Sequence, residues 1–195
     1  MPPDWNAIRL DLLDIDAPVR ATLREMRPFF ANALPGILAA FYDKVRHYDP
    51  ASGIFKDGAV QEAIRLQLQH WDLIGAAEFG LPYFGSVARL SEFHQRAGVA
   101  PQWYVGCRLM FIADQLMKAV ETEVEVHDKW ASMQNAIAKA VMLDTGNAVT
   151  SYFGFNRQAG AASSQSQSSA KQLSDSTASL RAEIDGFLKS IAAAA

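Results

Sequence analysis

Four histidines in this chain could bind a metal ion or transfer a proton, and they are His47, His70, His94 and His127. His47 lies in a polar turn and His127 lies among acidic residues, so both are predicted at the surface. His70 precedes Trp71 on a segment with two apolar faces, which is typical of a helix buried on both sides. A hydrogen-bonded histidine of the core is therefore the interpretation for His70.

His94 has a different setting, because it follows Tyr83, Val87 and Leu90 at spacings of four, three and four residues. This spacing places the imidazole on the apolar face of a helix. A neutral imidazole there could ligate haem iron, with its second nitrogen donating to a carbonyl one turn back, such as that of Leu90. The spacing alone leaves open the alternative of a core histidine with satisfied hydrogen bonds.

The segment that begins at His94 resembles the signature of the globin-coupled sensors, a family of haem-binding sensor globins. In that family the proximal histidine precedes a Gly-Leu-x-Pro-x-Trp-Tyr-x-Gly run that leads into the next helix. The residues that match at the expected spacing are His94, Gly98, Pro101, Trp103, Tyr104 and Gly106. Val99 replaces the leucine. The wider resemblance covers about residues 15 to 155.

The resemblance implies a globin fold that holds haem b through His94. It also implies that Tyr42, on the second helix, donates a hydrogen bond to a gas bound at the iron, which a phenol in a dry pocket does well. The alternative for Tyr42 is a core tyrosine whose hydroxyl reaches a carbonyl. Trp103 and Tyr104 are expected to wall the proximal side. The other candidate contacts of the cofactor are Phe55, Ala63, Leu66 and Leu90.

Proline and glycine divide the sequence into segments of helical periodicity, without sustained two-residue alternation, so the predicted fold class is all-α. Asp16 is predicted to cap the first helix and Gly98 to end the fourth. The predicted helices are Pro18 to Asn32, Pro35 to Tyr48, Asp57 to Ala77, Pro82 to Ala97, Pro101 to Val126 and His127 to Phe155.

Three regions are predicted: a sensor globin domain over residues 1–155, a polar linker over 156–171 and an amphipathic C-terminal helix over 172–195. The linker contains no large apolar residue and cannot form a core. The final helix carries one apolar stripe, made of Leu173, Leu180, Ile184, Phe187, Leu188 and Ile191. It resembles the end of methyl-accepting chemotaxis proteins, which implies a helical signalling partner.

The fifth and sixth helices carry further apolar stripes. In the globin-coupled sensors these helices pack against their twins, so the resemblance implies an isologous homodimer with an antiparallel four-helix interface. The candidate residues are Leu109, Ile112, Leu116, Val120, Met133, Ile137, Ala140, Val141 and Asp144. The alternative is that these stripes close the globin core of their own chain.

Composition excludes several classes of protein. A net charge of −3 with 20% charged residues is unlike a nucleic-acid-binding protein. No apolar run approaches the roughly 20 residues of a membrane span, and the acidic N-terminus is unlike a secretory signal. Cys107 is the single cysteine, so no internal disulfide forms and a cytoplasmic location is expected.

The resemblance to the globin-coupled sensors implies a haem-based sensor of a diatomic gas, with oxygen as the expected ligand, in bacterial signal transduction linked to chemotaxis. An enzyme is not expected, because the sequence shows neither a distal acid–base pair nor a reductase module. The alternative is a haem-free globin-like interaction module of a stress-signalling complex, in which side chains fill the pocket.

Overall fold

The computed structural model describes residues 4–48, 56, 58–100, 103–104, 108–152, 154 and 171. Within these ranges every regular element is a helix, which confirms the all-α prediction. The helices are α1 (Trp5–Leu12), α2 (Ala17–Glu25), α3 (Arg27–Tyr48), α4 (Ala59–Ala76), α5 (Leu81–Arg96), α6 (Arg108–Glu123) and α7 (130–152). A 3₁₀ turn, His127–Lys129, precedes α7.

The chain divides into a first unit, Met1–Phe153, and a second, Gly154–Ala195. All seven helices belong to the first unit. Of the second unit, only Gly154 and Lys171 are described, so the predicted linker and C-terminal helix lie outside the described residues apart from Lys171. None of the described helices combines the length and apolarity needed to cross a membrane.

The start of α2 follows the prediction, because the Asp16 carboxylate accepts a hydrogen bond from the Val19 amide at 3.1 Å. The predicted boundary between the first two helices, between Asn32 and Pro35, was wrong. The break falls at Met26, and α3 continues through Pro35, which had been predicted to begin a helix. Proline removes one amide donor, but the ring is exposed, while Leu34 and Leu38 on either side are buried and hold the helix in place.

The core lies where α3 packs against α4 and α6 and where α4 packs against α5. Phe30 of α3 and Trp71 of α4 are buried, with ring centroids 5.2 Å apart. The core face of α3 consists of Phe30, Leu34, Leu38, Phe41, Tyr42 and Val45. This face leads from the start of α3 to the predicted site at Tyr42.

The apolar stripes of α6 and α7 face the core of their own chain, which is the second of the two interpretations considered for them. Their buried members are Leu109, Ile112, Leu116, Val120, Met133, Ile137, Ala140 and Asp144. Val141 is half-buried. The buried members of these stripes are used by the core of their own chain and are not exposed to a twin helix, and the homodimer itself stays a prediction. The exposed apolar residues of α6 and α7 are instead Met110, Met142 and Val149.

The turn between α4 and α5 holds two non-glycine residues with positive φ, Ala77 at 56° and Phe79 at 49°. The left-handed region is unfavourable for such side chains. Arg20 of α2 stabilises the turn, since its Nη1 donates to the Ala77 carbonyl at 2.7 Å and its guanidinium lies 5.3 Å from the centre of the Phe79 ring. This turn sets where α5 begins.

The first helix was not predicted from the sequence, and it is tied to the last. Arg9 of α1 donates from Nη1 to Asn147 Oδ1 at 2.5 Å and from Nη2 to Thr150 Oγ1 at 3.1 Å. Both acceptors belong to α7. The two ends of the first unit are therefore joined by one side chain.

Candidate haem site

His94 lies on the buried face of α5, with 2% of its surface exposed. Its Nδ1 is 2.8 Å from the carbonyl oxygen of Leu90, one turn back along the helix. A carbonyl only accepts, so Nδ1 carries the proton, and in the neutral ring Nε2 presents a lone pair. This is the arrangement that the sequence predicted for an axial ligand, because the second nitrogen fixes the tautomer and orientation of the ring.

Tyr42 of α3 faces His94 across the core. The Tyr42 hydroxyl lies 3.3 Å from His94 Nε2, and only 3% of Tyr42 is exposed. Because Nε2 of the neutral ring has no proton, the hydroxyl donates to it. The fold thus brings together the two residues predicted on opposite sides of an iron. A porphyrin lies between them only if α3 and α5 move apart.

Tyr104 packs against His94, and its predicted role as a wall of the proximal haem pocket stays a prediction. The centres of the two rings are 4.5 Å apart, and the Tyr104 hydroxyl lies 3.2 Å from Ser91 Oγ on α5. Tyr152 of α7 packs on the other side of Tyr104, at 5.4 Å between ring centres, and its hydroxyl donates to the Val99 carbonyl. Sequence reasoning missed Ser91 and Tyr152, because neither belongs to a motif near His94.

Trp103 lines an apolar pocket of about 260 Å³ between α3 and α6. The other residues that line it are Phe41, Lys44, Val45, Tyr48 and Phe111. Trp103 stacks on Tyr48, with ring centres 6.4 Å apart. Phe41, whose ring lies 5.3 Å from the Tyr42 ring, lines this pocket, whereas Tyr42 and His94 do not.

The remaining predicted contacts have different outcomes. Leu90 is buried and supplies the carbonyl that holds His94. Ala63 is fully buried on α4, and Leu66 packs against the same core from a half-buried position. Phe55 lies outside the described residues. The cofactor contacts of all the predicted residues, those of His94, Tyr42, Leu90, Trp103 and Tyr104 included, stay predictions.

A second group of buried polar side chains lies at the start of α5. His70 Nε2 donates to Asp144 Oδ1 at 2.8 Å, and the Tyr83 hydroxyl donates to the same oxygen at 3.2 Å. The Ser86 hydroxyl lies 3.2 Å from His70 Nδ1. Burial, followed by the charge of Asp144, raises the pKa of the Tyr83 phenol above its usual value. The predicted role of His70 as a hydrogen-bonded core residue is confirmed, whereas Asp144 had been placed only on an apolar stripe.

This second group contains the residue types of a serine hydrolase triad, but it lacks the access that such chemistry needs. Ser86 has 3% of its surface exposed, and His70 has none. A substrate cannot reach a hydroxyl buried in this way, so the group holds helices together and does not form a nucleophilic site.

The side chains around His94 are of the types that hold a haem, and Tyr42 must move away from His94 Nε2 before one can bind. One buried imidazole with a fixed tautomer is the donor that globins use on the proximal side, and the surroundings are aromatic and aliphatic, with Tyr42 as a polar group. Among the residues described, no group of three or more His, Cys, Asp or Glu side chains could bind a metal ion by itself.

The described part of the chain is an all-helical core in which a histidine of α5 and a tyrosine of α3 meet, which is compatible with the globin fold. The chain belongs to the Protoglobin family, whose family model matches residues 7–156. The match covers most of the chain and all seven helices except the first two residues of α1. It confirms the predicted fold.

The chain is also similar to the Heme-based aerotactic transducer HemAT of Halobacterium salinarum. The two are 26% identical over 102 residues, which is 51% of this chain and 21% of that relative. The aligned part is therefore about a fifth of the relative's length. The relationship to sensor globins predicted from the His94 segment is confirmed by this match and by the family match together.

Proposed function

We propose that this chain is a haem-based sensor of a diatomic gas, with oxygen as the ligand, and that it has no catalytic activity. One observation carries the proposal: the Nδ1–Leu90 bond turns His94 Nε2 toward the hydroxyl of Tyr42 inside the core. Membership of the Protoglobin family and similarity to a protein named as a heme-based aerotactic transducer support it.

In this proposal His94 holds haem b through Nε2, and haem supplies the iron that binds the gas reversibly. Leu90 keeps the imidazole in one tautomer. In this structure the Tyr42 hydroxyl donates to Nε2 at 3.3 Å. When α3 and α5 move apart to admit haem, this hydroxyl would lose its bond to Nε2 and become available to donate to the gas. Tyr104 limits rotation of the imidazole through its ring contact.

The signal is proposed to leave through α6 and α7. Their exposed apolar residues, Met110, Met142 and Val149, are the proposed contacts of a homodimer, since the inner stripes are used within the chain. The C-terminal segment would carry the change to a helical partner in a chemotaxis pathway. A chain with a single cysteine suits a reducing cytoplasm.

The direct contact of Tyr42 with His94 favours one second candidate. At 3.3 Å the two side chains fill the position between α3 and α5, as side chains would in a haem-free globin-like module of a stress-signalling complex. Such a protein would use its surface to bind a protein partner. Expression with excess haem separates the two, because this second candidate stays colourless.

The test is the absorption spectrum of the full chain after expression with haem, reduced and exposed to oxygen or carbon monoxide. We expect a strong Soret band that shifts with each gas. His94→Ala should abolish the band, and His127→Ala, which changes an exposed histidine, should leave it intact. Partial recovery of the His94→Ala band by free imidazole would link the loss to ligation rather than to folding. A colourless wild-type protein, or a His94→Ala spectrum equal to wild type, would overturn the proposal.

A further inference from the structure

Four buried polar side chains join three helices near the start of α5, and we call them the Asp144 cluster. They are His70 of α4, Tyr83 and Ser86 of α5, and Asp144 of α7. Asp144 accepts from His70 at 2.8 Å and from Tyr83 at 3.2 Å, while His70 is bonded to Ser86 at 3.2 Å. None of the four has more than 3% of its surface exposed. The cluster is therefore a joint of hydrogen bonds within an otherwise apolar core.

The cluster lies on the same face of α5 as His94. Tyr83 and His94 are eleven residues apart, which is close to three helical turns and about 16 Å along the axis. Leu90, which holds His94, lies on this face between them. A rotation or shift of α5 that moves the imidazole must therefore also move Tyr83 and Ser86 relative to Asp144.

A second bond joins α5 and α7 near their C-terminal ends. Gln95 Nε2 donates to the Tyr152 carbonyl at 2.8 Å. The two helices are thus held at two levels, by Tyr83–Asp144 near the start of α5 and by Gln95–Tyr152 near its end. Because the two helices are attached at two points, a tilt of α5 should tilt α7 as well as displace it.

Because hydrogen bonds need a defined geometry, this connection between helices favours particular arrangements of α5 against α7. Apolar side chains would fill the same space and would tolerate small sliding movements, whereas a buried carboxylate must keep its donors because an unpaired buried charge is strongly unfavourable. The Asp144 carboxylate therefore stabilises only those positions of α5 relative to α7 in which its donors stay in place. Interfaces of this kind turn a small shift at a ligand site into a change between two arrangements.

We propose that the Asp144 cluster couples the position of His94 to helix α7, with Tyr83, Ser86 and Asp144 as positioning residues for transmission of the gas signal. The inference rests on the proposed function, because gas binding at haem is the event that displaces α5. The cluster provides the path by which a displacement of α5 reaches α7, the helix that carries the exposed Met142 and Val149.

The test measures amide hydrogen exchange of the full-length, haem-loaded protein, reduced and then saturated with carbon monoxide. In wild type we expect carbon monoxide to change the exchange rates in both α5 and α7. The expected change is about fivefold, the smallest that typical coupling free energies produce. Tyr83→Phe/Ser86→Ala removes both bonds of α5 to the cluster and keeps the His70–Asp144 pair. In this variant the change in α5 should remain and the change in α7 should be lost around Asp144, whereas the end of α7 stays joined to α5 through Gln95 and Tyr152.

Thr145→Val is the matched control. The Thr145 hydroxyl bonds to the Val141 carbonyl of its own helix at 2.7 Å and touches neither α4 nor α5 through that bond. The control removes a hydroxyl next to Asp144 and should keep the wild-type response of α7. If the double variant does not fold, Tyr83→Phe alone, which preserves the ring, should weaken the α7 response at least twofold.

The outcomes separate the two proposals. A normal Soret band together with a wild-type α7 response in the Tyr83→Phe/Ser86→Ala variant overturns the coupling and leaves the sensor function standing. Loss of the α7 response in Thr145→Val as well would also overturn it, since the effect would then be general softening of α7. A wild-type protein without a Soret band overturns the proposed function, and the coupling fails with it.

Discussion

The Tyr42 hydroxyl and Nε2 of His94 lie 3.3 Å apart in the core, although α3 and α5 are separated along the chain by the whole of α4. The contact depends on the tautomer that the Leu90 carbonyl imposes on His94. One backbone oxygen of α5 therefore determines that the phenol of α3 donates and the imidazole accepts.

Tyr42→Phe should raise the rate of oxygen dissociation from the haem-loaded protein by roughly tenfold, the effect of losing one buried hydrogen bond of somewhat more than 1 kcal/mol. Stopped-flow release of oxygen measures this rate. Tyr48→Phe makes the same chemical change on the same helix, at a side chain that is 63% exposed, and should have little effect. An oxygen dissociation rate that Tyr42→Phe leaves unaltered would remove Tyr42 from the site.

Two glycine substitutions of identical chemistry should change stability in opposite directions. Gly98 ends α5 with φ of +71° and Gly36 lies within α3, and in neither case would an added Cβ meet an atom within 4 Å. Gly98→Ala should destabilise by roughly 1–2 kcal/mol because of the left-handed backbone. Gly36→Ala should stabilise by roughly 0.5–1 kcal/mol through the entropy of the unfolded chain. Urea unfolding gives both values, and a common sign would contradict the backbone argument.

Tyr83 should make the protein sensitive to alkali. Burial and then the charge of Asp144 raise the pKa of its phenol in the folded state above the value near 10 of the unfolded chain. The unfolded state therefore loses this proton first, and stability present below about pH 10 is lost as the pH rises, by up to about 1.4 kcal/mol per pH unit.

The free energy of unfolding, measured in urea from pH 9 to pH 11, tests this sign. Tyr83→Phe should show the shallower decline, because it has no phenol to ionise at that position. Its neutral-pH stability provides the baseline for the comparison. Equal slopes for the two proteins would show that Tyr83 ionises as easily in the folded state as in the unfolded state.

Arg20→Met should destabilise the protein by roughly 1–2 kcal/mol, because it removes a charged hydrogen bond to the Ala77 carbonyl while keeping most of the apolar stem. The same change should speed amide exchange at the start of α5, since the turn that Arg20 holds sets where α5 begins. Arg24→Met, an exposed substitution on the same helix, should stay within about 0.5 kcal/mol of wild type. Equal effects of the two substitutions would show that the turn does not need Arg20.

Local patterns predicted the parts of the fold that depend on one helix at a time. The cap at Asp16, the extent of α5 and the burial of His94 all follow from periodicity and from residues that start or end helices. The continuation of α3 through Pro35 was missed because buried neighbours outweighed the lost amide bond. Propensity is a weak guide where tertiary packing opposes it.

Contacts between distant segments were beyond the reach of the sequence. Asp144 lies on a stripe that is otherwise apolar, and nothing in its neighbourhood indicates that His70 and Tyr83 converge on it. The same holds for Tyr152, which reaches the His94 environment only because α7 packs there. A family motif supplied His94 and Tyr104, whereas these partners required the packing of whole helices.

The bonds from Arg9 to Asn147 and Thr150 have a practical consequence for anyone who works with this protein. A deletion that removes α1 would leave Asn147 and Thr150 of α7 without the Arg9 guanidinium. In the proposed function α7 carries the signal, so proteins truncated before and after Arg9 should differ in their response to the gas.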